Sequence, residues 1–163
     1  MRAGLQQISV FLALAVVLSA SVDHAVAAGS AEAFPGTITL KTKHAFDALL
    51  GRLEKAIADR KMGLVAQASA SRGAASRGIK IPGNAVLMVF RNDYAVRMLK
   101  ASVAAGIEAP LRIYVTENPD GSASVTYRKP SAVFAPYGSR ALDEMARELD
   151  AIFENIVRDA SRG

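Results

Sequence analysis

The residues able to do chemistry are few. His24 and His44 are the only histidines, and there is no cysteine. An ordinary zinc site needs three or four nitrogen, sulfur or carboxylate ligands held together, and this inventory does not supply one of the usual composition. The acids Asp93, Glu108, Glu117 and Asp120 fall at spacings that match no calcium loop. No stretch matches a nucleophile elbow, a phosphate-cradling glycine loop or a serine–lysine hydrolase signature. A Ser/His/Asp triad would have to use His44, and no serine has a supporting context. No catalytic residue, metal or cofactor is therefore expected. His44, where a first strand gives way to a first helix, reads as a local hydrogen-bonding residue.

Binding chemistry is better represented. Leu111 to Thr116 alternates, with Leu111, Ile113 and Val115 on one face and Arg112, Tyr114 and Thr116 on the other. Ala123 to Arg128 returns with Val125 and Tyr127 inward and Ser124, Thr126 and Arg128 outward. Thr39 and Lys41 join the outward set. Arg112, Tyr114 and Arg128 could grip a planar anion, because guanidinium groups bind such anions in a bidentate fork. The same face could be plainly solvated, or could pair two copies as a homodimer. A second candidate is Arg91-Asn92, at the end of the apolar run Ala85 to Phe90. Asn92 reads as a turn residue that tolerates the left-handed region, and Asp93 as the cap of a short helix. Helix N-termini attract anions, and Arg91, Arg97 and Lys100 are near in sequence. The alternative of an enzyme would draw on Asn92, Tyr127 and His44 at strand ends.

The elements that must position these residues follow from periodicity. Thr37 to Lys43 alternates, with Ile38 and Leu40 inward. Phe46, Leu49, Leu50, Leu53, Ala56 and Ile57 form a helical stripe that ends near Gly63, which suits a left-handed cap. Leu64 to Ser69 is a second strand, and Ser71 to Gly78 one helical turn. Ala85 to Phe90 is apolar on both faces and predicts a central strand. Val96, Leu99 and Val103 give the stripe of a short helix. Asn118-Pro119-Asp120-Gly121 is a hairpin turn. Lys129 to Gly138 reads as irregular. A last helix from Ser139 carries Leu142, Met145, Leu149, Ile152, Phe153 and Ile156, with Asp143/Arg147 and Glu154/Arg158 as surface pairs. Two long amphipathic helices and one antiparallel sheet predict a two-layer α+β sandwich over residues 37–160, with both helices on one face.

The start of the chain differs in kind. Ile8 to Ala20 is apolar, too short to span a bilayer, and followed by small residues at Ala25, Ala27 and Ala28. Residues 1–28 read as a cleavable signal peptide and 29–36 as a linker. The expected location is periplasmic or secreted, and the processed chain is not expected to span a membrane. The net charge is +5. Bases crowd the segment from Arg60 to Arg112 and predict a positive field there. A small anionic ligand, an envelope component or a partner protein fits that field; an exported chain is not expected to meet nucleic acid.

Five short runs, in order, carry a resemblance. They are Phe46-Asp47 to Leu53; Arg77-Gly78-Ile79-Lys80-Ile81-Pro82; Val89-Phe90-Arg91-Asn92; Ala109-Pro110-Leu111-Arg112-Ile113; and Val125-Thr126-Tyr127-Arg128-Lys129-Pro130-Ser131. From Thr37 to Arg158 the chain resembles the domain of unknown function 302 family. The resemblance implies a β-α-β4-α fold of the TATA-binding-protein-like kind, a label that carries no DNA-binding claim. It implies no activity. The family pattern has Gly-Asn-Pro where this chain has Arg91-Asn92-Asp93, so only Asn92 carries over, and the arginine would alter or block a pocket there.

Overall fold

A computed structural model describes residues 34–162. The expected signal peptide and residues 29–33 of the expected linker lie outside the described residues. Strand β1 (Thr37–Ala45) leads into helix α1 (Phe46–Asp59), then β2 (Gly63–Ala68), a short α2 (Ala70–Ala75), β3 (Asn84–Phe90) and α3 (Asn92–Ala101). A 3-10 turn (Ala104–Glu108) precedes β4 (Leu111–Glu117) and β5 (Ser122–Arg128). Then come α4 (Pro130–Phe134), a 3-10 turn (Ala135–Tyr137) and α5 (Arg140–Ser161). The sheet is antiparallel throughout, in the order β1-β5-β4-β3-β2. With its short helices set aside, this is the β-α-β4-α sandwich that the periodicity and the resemblance imply.

The core is the seam between the two long helices and the inner sheet face. Leu49, Leu50, Leu53 and Ile57 of α1 meet Leu142, Met145, Leu149, Phe153 and Ile156 of α5, above Leu87, Ile113, Val115 and Val125. Register keeps the faces distinct: Leu87, Ile113, Tyr127 and Ile38 lie opposite one another in neighbouring strands on the inner face. On the outer face the matching row runs Val86, Tyr114, Thr126 and Thr39. The hairpin turn forms as expected, with Gly121 at φ +78. Ser139 caps α5 by accepting from the Leu142 amide. Among the described residues no helix is long and apolar enough to cross a membrane.

Several local expectations need correction. The apolar β3 is interior but second from the edge; β4 is the middle strand. Helix α1 stops earlier than its pattern suggests, and Lys61, not Gly63, takes the left-handed conformation at φ 57. Gly63 already lies in β2, where an added Cβ would sit 3.2 Å from the Phe90 carbonyl oxygen. Lys129 to Gly138 is not irregular, because Pro130 starts α4, as proline can at a first helical position. On α3 the buried side chains are Tyr94 and Met98. Val96 and Leu99 face outward, and Val103 is 79 % exposed. The core-facing stripe there is carried by an aromatic and a thioether that the branched residues concealed. The surface pairs Asp143/Arg147 and Glu154/Arg158 do not form ion pairs; Arg140 pairs with Glu144, and Arg158 donates to Asn155.

Candidate functional site

The sequence candidates divide among three places. His44 lies at the far end of β1, its Nε2 3.3 Å from the Arg162 carbonyl oxygen. Ile38 stands opposite Tyr127, and six residues of strand separate it from His44, about 20 Å. Asn92 opens α3 beyond the end of β3, and Tyr127 is buried on the inner face with its ring 6.1 Å from that of Phe153. Asn92, Tyr127 and His44 do not share a pocket. The buried Tyr127 phenol is pushed above its ordinary pKa by burial first, then by Glu154 and Asp150.

Arg91 is committed locally. Its guanidinium bridges both oxygens of Asp93 at 2.7 and 3.1 Å and lies 4.3 Å from the centroid of the Tyr94 ring. The Arg91 pair holds the Asp93 carboxyl below its ordinary pKa. Asp93 is thus not the helix cap; Arg91 occupies that position with extended backbone and no capping side chain. Beside it, Arg97 forks onto Glu148 of α5 with two 2.7 Å bonds. Beneath lies an apolar cavity of about 30 Å³ among Met62, Met98, Met145, Phe134 and Tyr94. Arg91 lines it.

Asn92 is exposed and makes no side-chain hydrogen bond among the described residues, and its backbone is helical rather than left-handed. The turn role expected from sequence therefore falls away. Asn92→Ala should shift the unfolding free energy by no more than about 0.5 kcal/mol, read from a urea melt. A loss above about 1 kcal/mol would show that the side chain holds the strand end after all.

Arg112 and Arg128 do come together. They line one cleft of about 60 Å³ with Glu108, Leu111 and Val133, where the 3-10 turn and the ends of β4 and β5 meet α4. Alternation places both arginines on the outer face, and the adjacency of β4 and β5 closes the distance. Arg112 is exposed, whereas Arg128 is partly buried and its Nε is enclosed without a hydrogen-bond partner. Its Nη2 donates to the Ala132 carbonyl at 3.4 Å, and its guanidinium carbon lies 5.3 Å from the Phe34 ring centroid. Glu108 accepts from the Tyr137 hydroxyl at 2.9 Å, and that bond raises the tyrosine's pKa. No ion pair within 4.0 Å joins Glu108 to either arginine. Tyr114 stands two residues along β4 from Arg112 on the same face, beside Val86 and Thr126. The outer face is less polar than alternation suggested, because Val86 and Met88 of β3 share it.

The positive field expected from Arg60 to Arg112 is partly cancelled in three dimensions. Arg60 pairs with Asp159 and Arg97 with Glu148, both acids of α5, and Arg72 stands 3.7 Å from Asp47. Arg112 has no acidic partner within 4.0 Å among the described residues. Among the described residues there is no group of three or more His, Cys, Asp or Glu side chains placed to hold a metal ion.

The sequence reading missed a second surface, an open groove of about 510 Å³ between β1 and the last turns of α5. Ile38 and Leu40 face the helices as expected, yet they are 37 % and 42 % exposed because α5 does not cover them. The available signal was the spacing of Glu154, Val157, Arg158, Ser161 and Arg162, which sets one helix face beyond the apolar stripe.

Comparison with curated proteins gives no match. Among solved structures, the chain is similar to an uncharacterized conserved protein DUF302 from Bacillus stearothermophilus. The TM-score is 0.69 at 19 % identity, covering 78 % of this chain and 99 % of the other. At that identity the likeness speaks for the fold alone. The family model described as "Domain of unknown function DUF302" matches residues 38–160, and the chain belongs to that family.

Proposed function

We propose that this chain is an exported, non-enzymatic binding domain, and that its ligand is a small anion held between Arg112 and Arg128. The observation that carries the reading is a cleft lined by two arginines, neither of which has an acid within 4.0 Å among the described residues. Two guanidinium groups converging on one anion add charge-assisted bonds of about 1.5–3 kcal/mol each. A cleft of about 60 Å³ accepts the head of such a ligand and not its body. Glu108 faces the same space and would disfavour a high charge density, so a carboxylate suits it better than a polyphosphate.

Arg112→Gln is the informative change, since Arg112 is exposed and holds no structural ion pair. Calorimetric titration with succinate and with inorganic phosphate should show at least about tenfold weaker binding in the variant. Affinity should also fall as salt rises. Equal affinities in the two proteins would remove the proposal.

Export rests on the apolar run from Ile8 to Ala20 and the small residues after it. A carboxy-terminally tagged chain in a bacterial host is expected in the periplasmic fraction, beginning at Ala28 or Gly29. An intact Met1 in the membrane pellet would contradict this.

A further inference from the structure

Strand β1 is an edge of the sheet, and its free side can be read from its hydrogen bonds. The Lys129 amide donates to the Gly36 carbonyl at 2.8 Å, so these opposed residues form a bonded pair. In an antiparallel ladder bonded and non-bonded pairs alternate. Ile38 and Leu40 therefore bond to β5, while Thr37, Thr39 and Lys41 turn their N–H and C=O groups away from it. Two details agree. The Thr37 amide donates to Phe34 instead of β5, and the Thr39 and Thr126 hydroxyls meet at 2.9 Å, as close side chains of a non-bonded pair do. The outward amides and carbonyls of Thr39 and Lys41 have no partner among the described residues.

The groove lies along this open edge. Ile38, Leu40 and Val157 give it an apolar floor, and Lys129, Arg158 and Arg162 stand around it against the single acid Glu154. Open backbone groups, an apolar floor on the inner face and a basic surround are what an added strand would use. We infer that β1 accepts an extended segment of a partner protein as a sixth strand. The segment would carry apolar side chains that lie over Ile38 and Leu40 and, on that same groove-facing side, acidic side chains that reach Lys129, Arg158 and Arg162. A second copy of this chain is a poorer occupant, because β1 itself carries Lys41 and Lys43 and no acid that could meet the basic surround. The inference is independent of the Arg112–Arg128 cleft, with which the groove shares no residue.

The test uses three labelled seven-residue peptides: an acidic one with Val at positions 1 and 3, Glu at 5 and 7 and Thr between, so that Val and Glu share one face; its counterpart with Lys for Glu; and the acidic peptide with a central proline. Fluorescence anisotropy should show the acidic peptide binding at least about tenfold more tightly than either of the others. Amide hydrogen exchange should slow at Thr39 and Lys41 when it is bound. Thr39→Pro removes one outward donor at an edge position where proline is tolerated, and should weaken binding about tenfold with unchanged melting. If that variant misfolds, the double change Lys129→Glu with Arg158→Glu carries the same expectation. Equal binding of acidic and basic peptides, or binding that leaves both amides unprotected, overturns the inference. So does a peptide-free dimer that already protects them, or no binding of the acidic peptide at all.

Discussion

Phe153→Ala is expected to lower the unfolding free energy by about 3–5 kcal/mol. Phe153 is fully buried on the middle of α5, and its ring packs against that of Tyr127 on β5. It therefore ties the last helix to the sheet at the strand that carries Arg128. Truncation removes the transfer free energy of a ring and leaves a void that the surrounding leucines and Ile156 cannot fill without moving. A domain of this size has a total stability of only about 5–15 kcal/mol, so the variant should sit near the edge of folding. Phe153→Leu keeps most of the volume and should cost clearly less, about 1–2 kcal/mol. Urea titration should show a lower midpoint with an unchanged slope for both. A loss below about 1 kcal/mol for the alanine variant would mean that α5 is not seated as described.

Gly36→Ala should produce the second largest effect, about 2–4 kcal/mol. Two costs add at this position. The backbone has φ +75, which costs a residue with a Cβ about 1–2 kcal/mol. An added methyl would also lie 2.3 Å from the Ala132 Cβ, far inside contact distance, and overpacking of this kind costs about 1–3 kcal/mol. Gly36 accepts from the Lys129 amide, and Ala132 accepts from Arg128, so relief of the clash must move the end of β5 or the start of α4. Anion binding should weaken together with stability, although Gly36 contributes no side chain to the cleft. Ser131 offers a control: its amide is anchored to Asp150 of α5 at 2.9 Å. Ser131→Ala leaves that backbone bond intact and should have little effect on either quantity. A Gly36→Ala variant with wild-type melting would show that the chain does not pass Ala132 this closely.

The fold was legible where one period ran long enough to identify a face. The stripe from Leu49 to Ile57 and the stripe from Leu142 to Ile156 are buried as their spacing required, and alternation put Arg112, Tyr114 and Arg128 on the outer face. It was illegible where a tertiary partner decided the outcome. On α3 the exposed branched residues imitate a core stripe, while Tyr94 is buried under Arg91 and beside Arg97, and its phenol reaches Glu148 on α5. No local pattern announces Glu148, which is distant in sequence. The same holds for charge: the excess of bases before Arg112 could be counted, but the acids of α5 that neutralise Arg60 and Arg97 arrive only when the sandwich closes.

The candidate site follows the same rule. Arg112 and Arg128 were legible as neighbours, because a hairpin turn at Pro119-Asp120-Gly121 fixes which residues face each other across β4 and β5. Glu108 and Val133 were not, since a 3-10 turn and α4 deliver them from outside the hairpin. Arg91 and Asn92 were legible as a strand end but not as a closed structural unit, because the fork onto Asp93 depends on the extended backbone of Arg91. The groove beside β1 was missed because periodicity tells which way Ile38 and Leu40 point, and not whether a helix reaches them.

The central claim is that Arg112 and Arg128 share one anion in the cleft they line. Nitrogen-15 NMR of the arginine side chains observes both guanidinium groups directly. Titration with succinate should shift the Arg128 Nε–Hε resonance saturably, and the Arg112→Gln variant should need at least about tenfold more succinate for the same shift. An Arg128 resonance that does not move with succinate or phosphate, or that moves identically in the variant, would contradict the account.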